Sequence, residues 1–295
     1  MRKSYVLFNV VAQPHPQGAY RDLFEAASIS KPVKHRGERY ARISPITKTE
    51  NQIFRGRIAT WSEIDRNAPA VSKSSLEEKS LEEAGIQFPD DIGFNSRIFY
   101  FAFREDKHAL YVELNNDEGS TISPNVARKA FEDILRSAKG GICDDVFVHI
   151  ASKSDALEYV LDVGSITKIE VDLFVPNPDD LSDSYRDVLD EIGAMKIKRL
   201  QTVATKASGQ ETLILTERMR VLTQLAKDNG QVEVSGFDME DVRVKRSTKE
   251  VPAEIEVELN NEESSYGAVR RVALEGRELS RFNGGDSSDD FDVLE

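Results

Sequence analysis

Cysteine is almost missing from this chain of 295 residues, in which Cys143 stands alone. A single cysteine cannot form an internal disulfide, which excludes a disulfide-stabilised secreted domain and favours a cytoplasmic protein. Cys143 precedes the strand-like run DVFVHI, with no histidine at a spacing that would suggest a catalytic pair. This position predicts a buried structural thiol rather than a nucleophile.

Long hydrophobic runs are missing as well. The apolar run near the start, YVLFNVV at residues 5–11, is far too short to cross a membrane, and prolines follow it. We therefore expect no membrane span.

Motifs for common chemistry are also lacking, since GxGxxG, GxxxxGK[ST] and GxSxG do not occur. The four histidines have no metal-ligand spacing, so zinc is not expected. They are His15, His35, His108 and His149. A metal nuclease needs converging carboxylates and a lysine, for which Glu113 and Asp172 are weak candidates among 52 acidic residues. We predict no catalytic residue, metal or cofactor, and keep a metal-dependent nuclease or another effector enzyme as the alternative.

Positive charge is scarce overall but concentrated near the start. The chain holds 39 basic and 52 acidic residues, a net charge of −13. Residues 1–66 hold twelve basic and six acidic residues, so this segment carries +6 and the remainder −19. This asymmetry favours a basic surface that contacts nucleic acid or a partner protein, and a merely solvated face is the alternative. The candidate nucleic-acid-binding residues are Lys31, Lys34, Arg36, Arg39, Arg42, Arg55 and Arg57.

Alternating strand-like and helix-like segments predict an α+β fold of two mixed subdomains, with mainly antiparallel strands and packed helices. Period-two alternation predicts strands in RYARISPITKT and QIFRGRIATWSEI, while the basic stretch KPVKHRGERY before them is expected to be a loop. Ser123 as a cap and Pro124 at the first position predict a helix in PNVARKAFEDILRSA. The glycines at 140 and 141 suggest a boundary. The predicted units are residues 1–140, 141–282 and an acidic tail, 283–295.

The tail carries acids around an apolar trio, and such a composition predicts disorder. It could dock on a basic groove of a partner through Asp289, Asp290, Phe291 and Leu294, or fold back on the basic segment of its own chain. A solubilising tail is the third interpretation.

Two further short sequence motifs, which we call words, could have a functional interpretation. VPNPDD at residues 175–180 is interpreted as a turn in which prolines stop a strand, rather than a metal loop. VELNN occurs at residues 112–116 and again at 257–261. The first copy precedes a predicted helix, whereas YGAVRRVALEGRE after the second alternates like a strand. We therefore favour convergence of two strand ends over duplication.

The strings KDNGQVEVSGFDMEDVRVKRSTKEVPAEIEVEL, VPNPDD and HALYVELNN ahead of SPNVARKAFEDIL resemble a bacterial family defined only as domain of unknown function 4747. The resemblance covers about residues 4 to 275. More remotely, the arrangement of strand, cap and helix looks like the phage lambda exclusion protein RexA and the B component of the Kiwa defence system. These resemblances imply a binding or sensing role in anti-phage defence or superinfection exclusion. They also imply DNA binding. The partners we expect are DNA or RNA, a defence-system protein, or a second copy of the chain.

Overall fold

The computed structural model describes residues 1–49, 52–89, 91–176, 185–259 and 263–275. Within these ranges, strands and helices mix as the sequence predicts, which confirms the α+β class. The strands are β1 (Arg2–Gln13), β2 (Val33–Arg36), β3 (Arg39–Ile43), β4 (Thr47–Thr49), β5 (Ile53–Ser62), β6 (Ala70–Val71), β7 (Glu78–Lys79), β8 (Phe94–Arg104), β9 (Ala109–Glu113), β10 (Asp145–Ile150), β11 (Ser165–Phe174), β12 (Arg199–Thr205), β13 (Gly230–Phe237), β14 (Arg243–Ser247) and β15 (Glu254–Glu258). The helices are α1 (Ala19–Ile29), α2 (Pro124–Ala138), α3 (Ala156–Leu161), α4 (Arg186–Ala194), α5 (Glu217–Asn229) and α6 (Ser265–Glu275).

Nine strands form one antiparallel sheet built around β1. The main order is β10, β1, β9, β8, β5, β3, β2. Because β1 is long, it pairs with β9 along one edge and with β10 and β15, placed end to end, along the other. β4 pairs with β5. The strands β2 and β3 therefore lie at the far edge of the sheet from β10.

Both faces of this sheet are covered near β1. Val6, Phe8 and Val10 pack with α1 and α2 on one face, which we call the α2 face. Tyr5 and Leu7 pack with α6 on the opposite face, which we call the α6 face. Burial on both sides explains why the sequence of β1 is almost continuously apolar rather than alternating.

A second antiparallel sheet has the order β12, β11, β13, β14. Leu222 and Leu225 on α5 join its core, to which α3 and α4 contribute Val160 and Ile192. The run LILTERMRVLTQLAKDNG predicts a helix that ends at Gly230, and α5 does end there.

Residues on both sides of the glycine pair belong to the sheet of β1, because β10 and β15 pair with it. Hydrogen bonds also join β1 to the end of α5 and to the residue that follows β11. The Asn9 Nδ2 donates to Asn229 Oδ1 at 2.8 Å, and the Gln13 Nε2 donates to the carbonyl of Val175 at 2.7 Å. The division at residue 140 stays a prediction. Residues after 140 supply β10 and β15 to the sheet that contains β1.

Three local predictions are confirmed. Ser123 caps α2, its Oγ accepting a hydrogen bond from the amide of Val126 at 3.4 Å, and Pro124 is the first helical residue. Cys143 is a buried free thiol whose pKa is raised by burial. The tail and residues 177–180 of the VPNPDD turn lie outside the described ranges.

The prediction of a strand in YGAVRRVALEGRE is wrong, because residues 266–275 of this segment lie in α6, and its last three residues are outside the described ranges. Its buried residues recur every three or four positions, as on one side of a helix. They are Ser265, Ala268, Val269, Val272 and Ala273. The Ser264 Oγ accepts a hydrogen bond from the amide of Gly267 at 3.1 Å and satisfies a donor of the first turn. The small alanine and glycine residues imitate the alternation of apolar and polar residues in a strand. The spacing of the buried residues is that of a helix.

This helix changes the interpretation of the repeated word. Glu113 ends β9 and Glu258 ends β15, which flank β1 on opposite edges and run antiparallel to it. Both copies lead into a serine-capped helix, α2 after Ser123 and α6 after Ser264. The argument from different successors is therefore wrong. The two strand–helix units cover opposite faces of the sheet, although residues 260–262 of the second copy lie outside the described part of the chain.

Candidate functional site

A cavity of about 520 Å³ opens on the α2 face, between the far edge of the sheet and the start of α2. Three arginines line it, from three different strands or turns, and we call it the arginine pocket. They are Arg36, Arg39 and Arg97. The other lining residues are Gly37, Thr60, Phe99, Thr121, Ile122, Ser123 and Val126.

Strand pairing brings the arginines together. The KPVKHRGERY segment, expected to be a loop, instead forms the tight hairpin of β2 and β3, in which Arg36 pairs with Arg39. Gly37 makes this turn with φ 51°, a left-handed conformation that glycine adopts without strain. Arg97 arrives on β8, where it pairs with Thr60 of β5. The pocket thus gathers arginines that are up to 61 positions apart in the sequence.

The start of α2 adds to the positive potential of the arginine pocket. Unpaired amide groups and the helix dipole place partial positive charge at a helix N-terminus. Ser123 and Val126, from the cap and first turn of α2, both line the cavity. The Arg97 Nη1 donates to the carbonyl of Thr121 at 3.1 Å, which holds this guanidinium against the loop before the helix.

Every charged residue that lines the pocket is an arginine. Within the part of the chain that the structure describes, no hydrogen bond or ion pair engages the guanidinium of Arg36 or Arg39. The neighbouring His35 is buried, and burial lowers its pKa. Arg39 and Arg36 lower this pKa further, whereas Asp133 opposes them. Two arginines that have no acidic partner among the described residues are suited to bind an anion.

The other predicted basic residues lie elsewhere. Lys34 is exposed and its Nζ lies 2.8 Å from the Glu38 Oε1 in an ion pair. Lys31 is exposed just after α1. Arg55 is half-buried, donates to the carbonyl of Tyr266 at 3.0 Å and stacks over that ring at 4.2 Å. Arg55 therefore fastens α6 to the sheet.

Arg42 and Arg57 are exposed and occupy positions of β3 and β5 on the α6 face, on the opposite side of the sheet from the arginine pocket. The Arg42 Nη2 also donates to the carbonyl of Ser28 near the end of α1 at 3.4 Å. They border a second, smaller cavity beside Trp61. The predicted basic surface is thus divided between two faces at one edge of the sheet. Alternation along β3, which puts Arg39 and Arg42 on opposite faces, explains the division.

Sequence reasoning missed two contributors. Arg97 lies on β8, and nothing in the sequence around it indicates that this strand brings it to Arg36 and Arg39. Trp61 ends the alternating run RIATW beside basic residues, and it is the sole tryptophan of the chain. An aromatic residue on the same strand face as Arg57 was the available signal.

A buried ion pair occupies the first VELNN word. The Lys3 Nζ donates to the Glu113 Oε1 at 2.6 Å and to the carbonyl of Asn115 at 3.0 Å, and it lies 2.8 Å from the Asp117 Oδ1. The Glu113 Oε2 accepts from the amide of Tyr100 at 3.0 Å. Burial raises the pKa of Glu113, while the hydrogen bond from Lys3 lowers that of Asp117. Because Lys3 and Glu113 expose no side-chain surface, the cluster ties β1 to β9 rather than facing a substrate.

The acid pair considered for a nuclease does not converge. Glu113 is on β9 in the larger sheet, whereas Asp172 is on β11 in the smaller sheet. Asp172 accepts two hydrogen bonds from the guanidinium of Arg199, at 2.5 and 2.7 Å. Among the described residues, no three His, Cys, Asp or Glu side chains form a group that could hold a metal ion.

The predicted partner-binding residues Asp289, Asp290, Phe291 and Leu294 lie outside the described ranges. No helix in the described part of the chain is long and apolar enough to span a membrane. A family model described as a domain of unknown function, DUF4747, matches residues 2–274. A search of curated proteins finds no match.

Proposed function

The chain belongs to the DUF4747 family, a domain of unknown function, and we propose that it binds the phosphates of a nucleic acid in the arginine pocket. The observation that carries this proposal is the convergence of Arg36, Arg39 and Arg97 on one cavity at the start of α2. Guanidinium groups match phosphate oxygens in a two-pronged geometry, and a helix N-terminus favours the same negative charge.

The charge distribution supports binding at this edge of the sheet. The whole chain is acidic, with a net charge of −13, while residues 1–66 carry +6. An acidic body repels a polyanion, so productive approach is restricted to the basic edge. Affinity that depends on few phosphate contacts falls with salt less steeply than that of a fully basic protein. We therefore propose a selective binding module rather than a nonspecific coat.

We further propose that this binding serves anti-phage defence or superinfection exclusion in the cytoplasm, with the chain as a binding or sensing component. The remote resemblance to RexA and the Kiwa B component supports this biological setting. The acidic tail, with Asp289, Asp290, Phe291 and Leu294, is the proposed contact for a defence-system partner protein. Self-association is the remaining proposed partner arrangement.

Fluorescence anisotropy of a labelled 20-nucleotide DNA, single-stranded or duplex, tests the proposal. The triple variant Arg36→Ala, Arg39→Ala, Arg97→Ala is expected to lose about tenfold or more in affinity, whatever the base sequence. Its salt dependence should be shallower by roughly one unit of slope for each lost phosphate contact.

The matched control is Arg243→Ala with Lys245→Ala. These residues are exposed on β14, the edge strand of the smaller sheet, so the variant also removes neighbouring basic residues from an edge strand. We expect near wild-type affinity. Equal affinities for the wild type and the triple variant at all salt concentrations would contradict the proposal.

A further inference from the structure

The α6 face is open at the edge of the sheet. The contacts of α6 reach Tyr100 on β8, where Tyr266 lies 5.7 Å away between ring centroids. Beyond that point, Ile98 keeps 41% of its surface exposed, and Arg42 and Arg57 are exposed as well. Apolar surface on an otherwise charged sheet edge marks a site of interaction.

Strand register creates a slot in this open area. Ala59 of β5 pairs with Arg42 on β3 and with Ile98 on β8. Arg57 and Trp61 flank Ala59 on the same face of β5, two positions away in each direction. A methyl group surrounded by four larger side chains leaves a depression, and a cavity of about 320 Å³ is found there. We call it the tryptophan slot.

The indole of Trp61 is held in place. The backbone of Gly93 lies against its pyrrole ring so closely that an added Cβ would come within 1.9 Å of Cδ1. The Trp61 Nε1 donates to the Glu63 Oε1 at 2.7 Å. A ring fixed in this way loses little conformational entropy when a ligand stacks on it.

The chemistry of the tryptophan slot suits a flat ring attached to negative charge. An indole offers a π-face, and Arg42 and Arg57 offer positive charge on the walls. Trp61 pairs with Tyr40 on β3, which adds a second aromatic ring to the same face. An unpaired nucleotide combines a stackable base with flanking phosphates, whereas the bases of a duplex are stacked on one another and do not reach such a slot.

We propose that the tryptophan slot binds an unpaired base of single-stranded nucleic acid, with the base on Trp61 and the adjacent phosphates on Arg42 and Arg57. This inference rests on the proposed function for the class of ligand, and it adds a preference for single strands. The site lies on the opposite face of the sheet from the arginine pocket, so the two sites can be altered separately.

The sole tryptophan makes the test direct, because all indole emission of the chain comes from Trp61. The full-length protein is titrated at low salt with a 20-nucleotide oligothymidylate and with a blunt 20-base-pair duplex. Stacking is expected to quench the emission with the single strand and to leave it nearly unchanged with the duplex.

Two substitutions at one position sharpen the test. Ala59→Leu fills the slot without altering charge, and it should weaken single-strand binding about tenfold, the size expected for one lost base stack, with duplex binding unchanged. Ala59→Ser keeps the space and should bind and quench like the wild type. Since residue 59 is only half-buried, both variants are expected to fold, which circular dichroism checks.

The outcomes separate the two proposals. The single strand could bind in a salt-dependent way without changing Trp61 emission, and Ala59→Leu could leave the affinity unchanged. That result would contradict the proposal for the tryptophan slot and would leave the proposal for the arginine pocket intact. Equal quenching by the duplex also overturns the tryptophan slot. An absence of binding to either DNA overturns the proposed function and this inference with it.

Discussion

His149 is the residue whose burial has the clearest consequence in solution. It lies on β10 between aromatic rings, with the centroid of Phe174 4.8 Å and that of Phe147 6.2 Å away. Its Nε2 is buried and has no hydrogen-bond partner among the described residues. Burial lowers its pKa to about 3, and Arg128, Lys249 and Arg136 act in the same direction, opposed by Asp172.

A pH dependence of stability follows from this shift. In the unfolded chain a histidine protonates near its ordinary value of about 6.5, whereas folded His149 stays neutral down to about pH 3. Between these values the unfolded state binds more protons, so the free energy of unfolding falls as the pH is lowered. His149→Phe is expected to reduce that slope between pH 6 and pH 4, by up to about 1.4 kcal/mol per pH unit.

Urea denaturation at several pH values measures this slope. Phe147→Leu is the control, because it disturbs the same packing without removing a titrating group, so its slope should match the wild type. A His149→Phe slope identical to that of the wild type would show that protonation of this side chain is not linked to unfolding.

At the scale of elements, the two helices that follow the VELNN words make a matched pair. Ser123 and Ser264 each accept a hydrogen bond from the amide three residues later, at 3.4 and 3.1 Å. Such a cap contributes about 1 kcal/mol to stability. Ser123→Ala and Ser264→Ala are therefore expected to lower the free energy of unfolding by about 1 kcal/mol each.

Thermal and urea unfolding of these variants provide the measurement. Ser264→Asp serves as the control, because aspartate also caps a helix and its charge suits the helix dipole. A loss with Ser123→Ala but none with Ser264→Ala would show that α6 does not depend on the cap seen in the structure.

At the scale of the whole molecule, positive and negative charge are concentrated in different parts of the chain. Residues 284–295 carry five acids, while residues 1–66 carry a charge of +6. Because the tail and residues 1–66 carry opposite charges, we predict that the tail competes with nucleic acid for the basic edge. Removal of residues 284–295 is expected to increase DNA affinity several-fold at low salt, and the increase should vanish as salt screens the attraction.

Anisotropy titrations of the truncated and full-length chains across salt concentrations test this competition. A variant with the five acids changed to Asn or Gln keeps the length and should behave like the truncation. Unchanged DNA affinity, together with an unchanged set of co-purified partner proteins, would leave solubility as the role of the tail.

The sequence by itself determined the local structure wherever one short-range rule dominated. Ser123 and Pro124 set the start of α2, Gly230 ends α5, and alternation identified β3 and β5, because caps and side-chain periodicity act within a few residues. The same reasoning failed for α6, because its small residues fit both the strand and the helix periodicity. Packing against the sheet favours the helix. It also failed for the basic loop, which pairs as the β2–β3 hairpin.

Only the tertiary structure decided which basic residues work together. Arg36 and Arg39 were predicted, but their union with Arg97 depends on the pairing of β5 with β8 and on the docking of α2. Likewise the slot at Trp61 exists because Ala59 lies between two neighbouring strands. The register between distant strands is set by the packing of the whole sheet. The distribution of charged residues along the sequence therefore does not predict it.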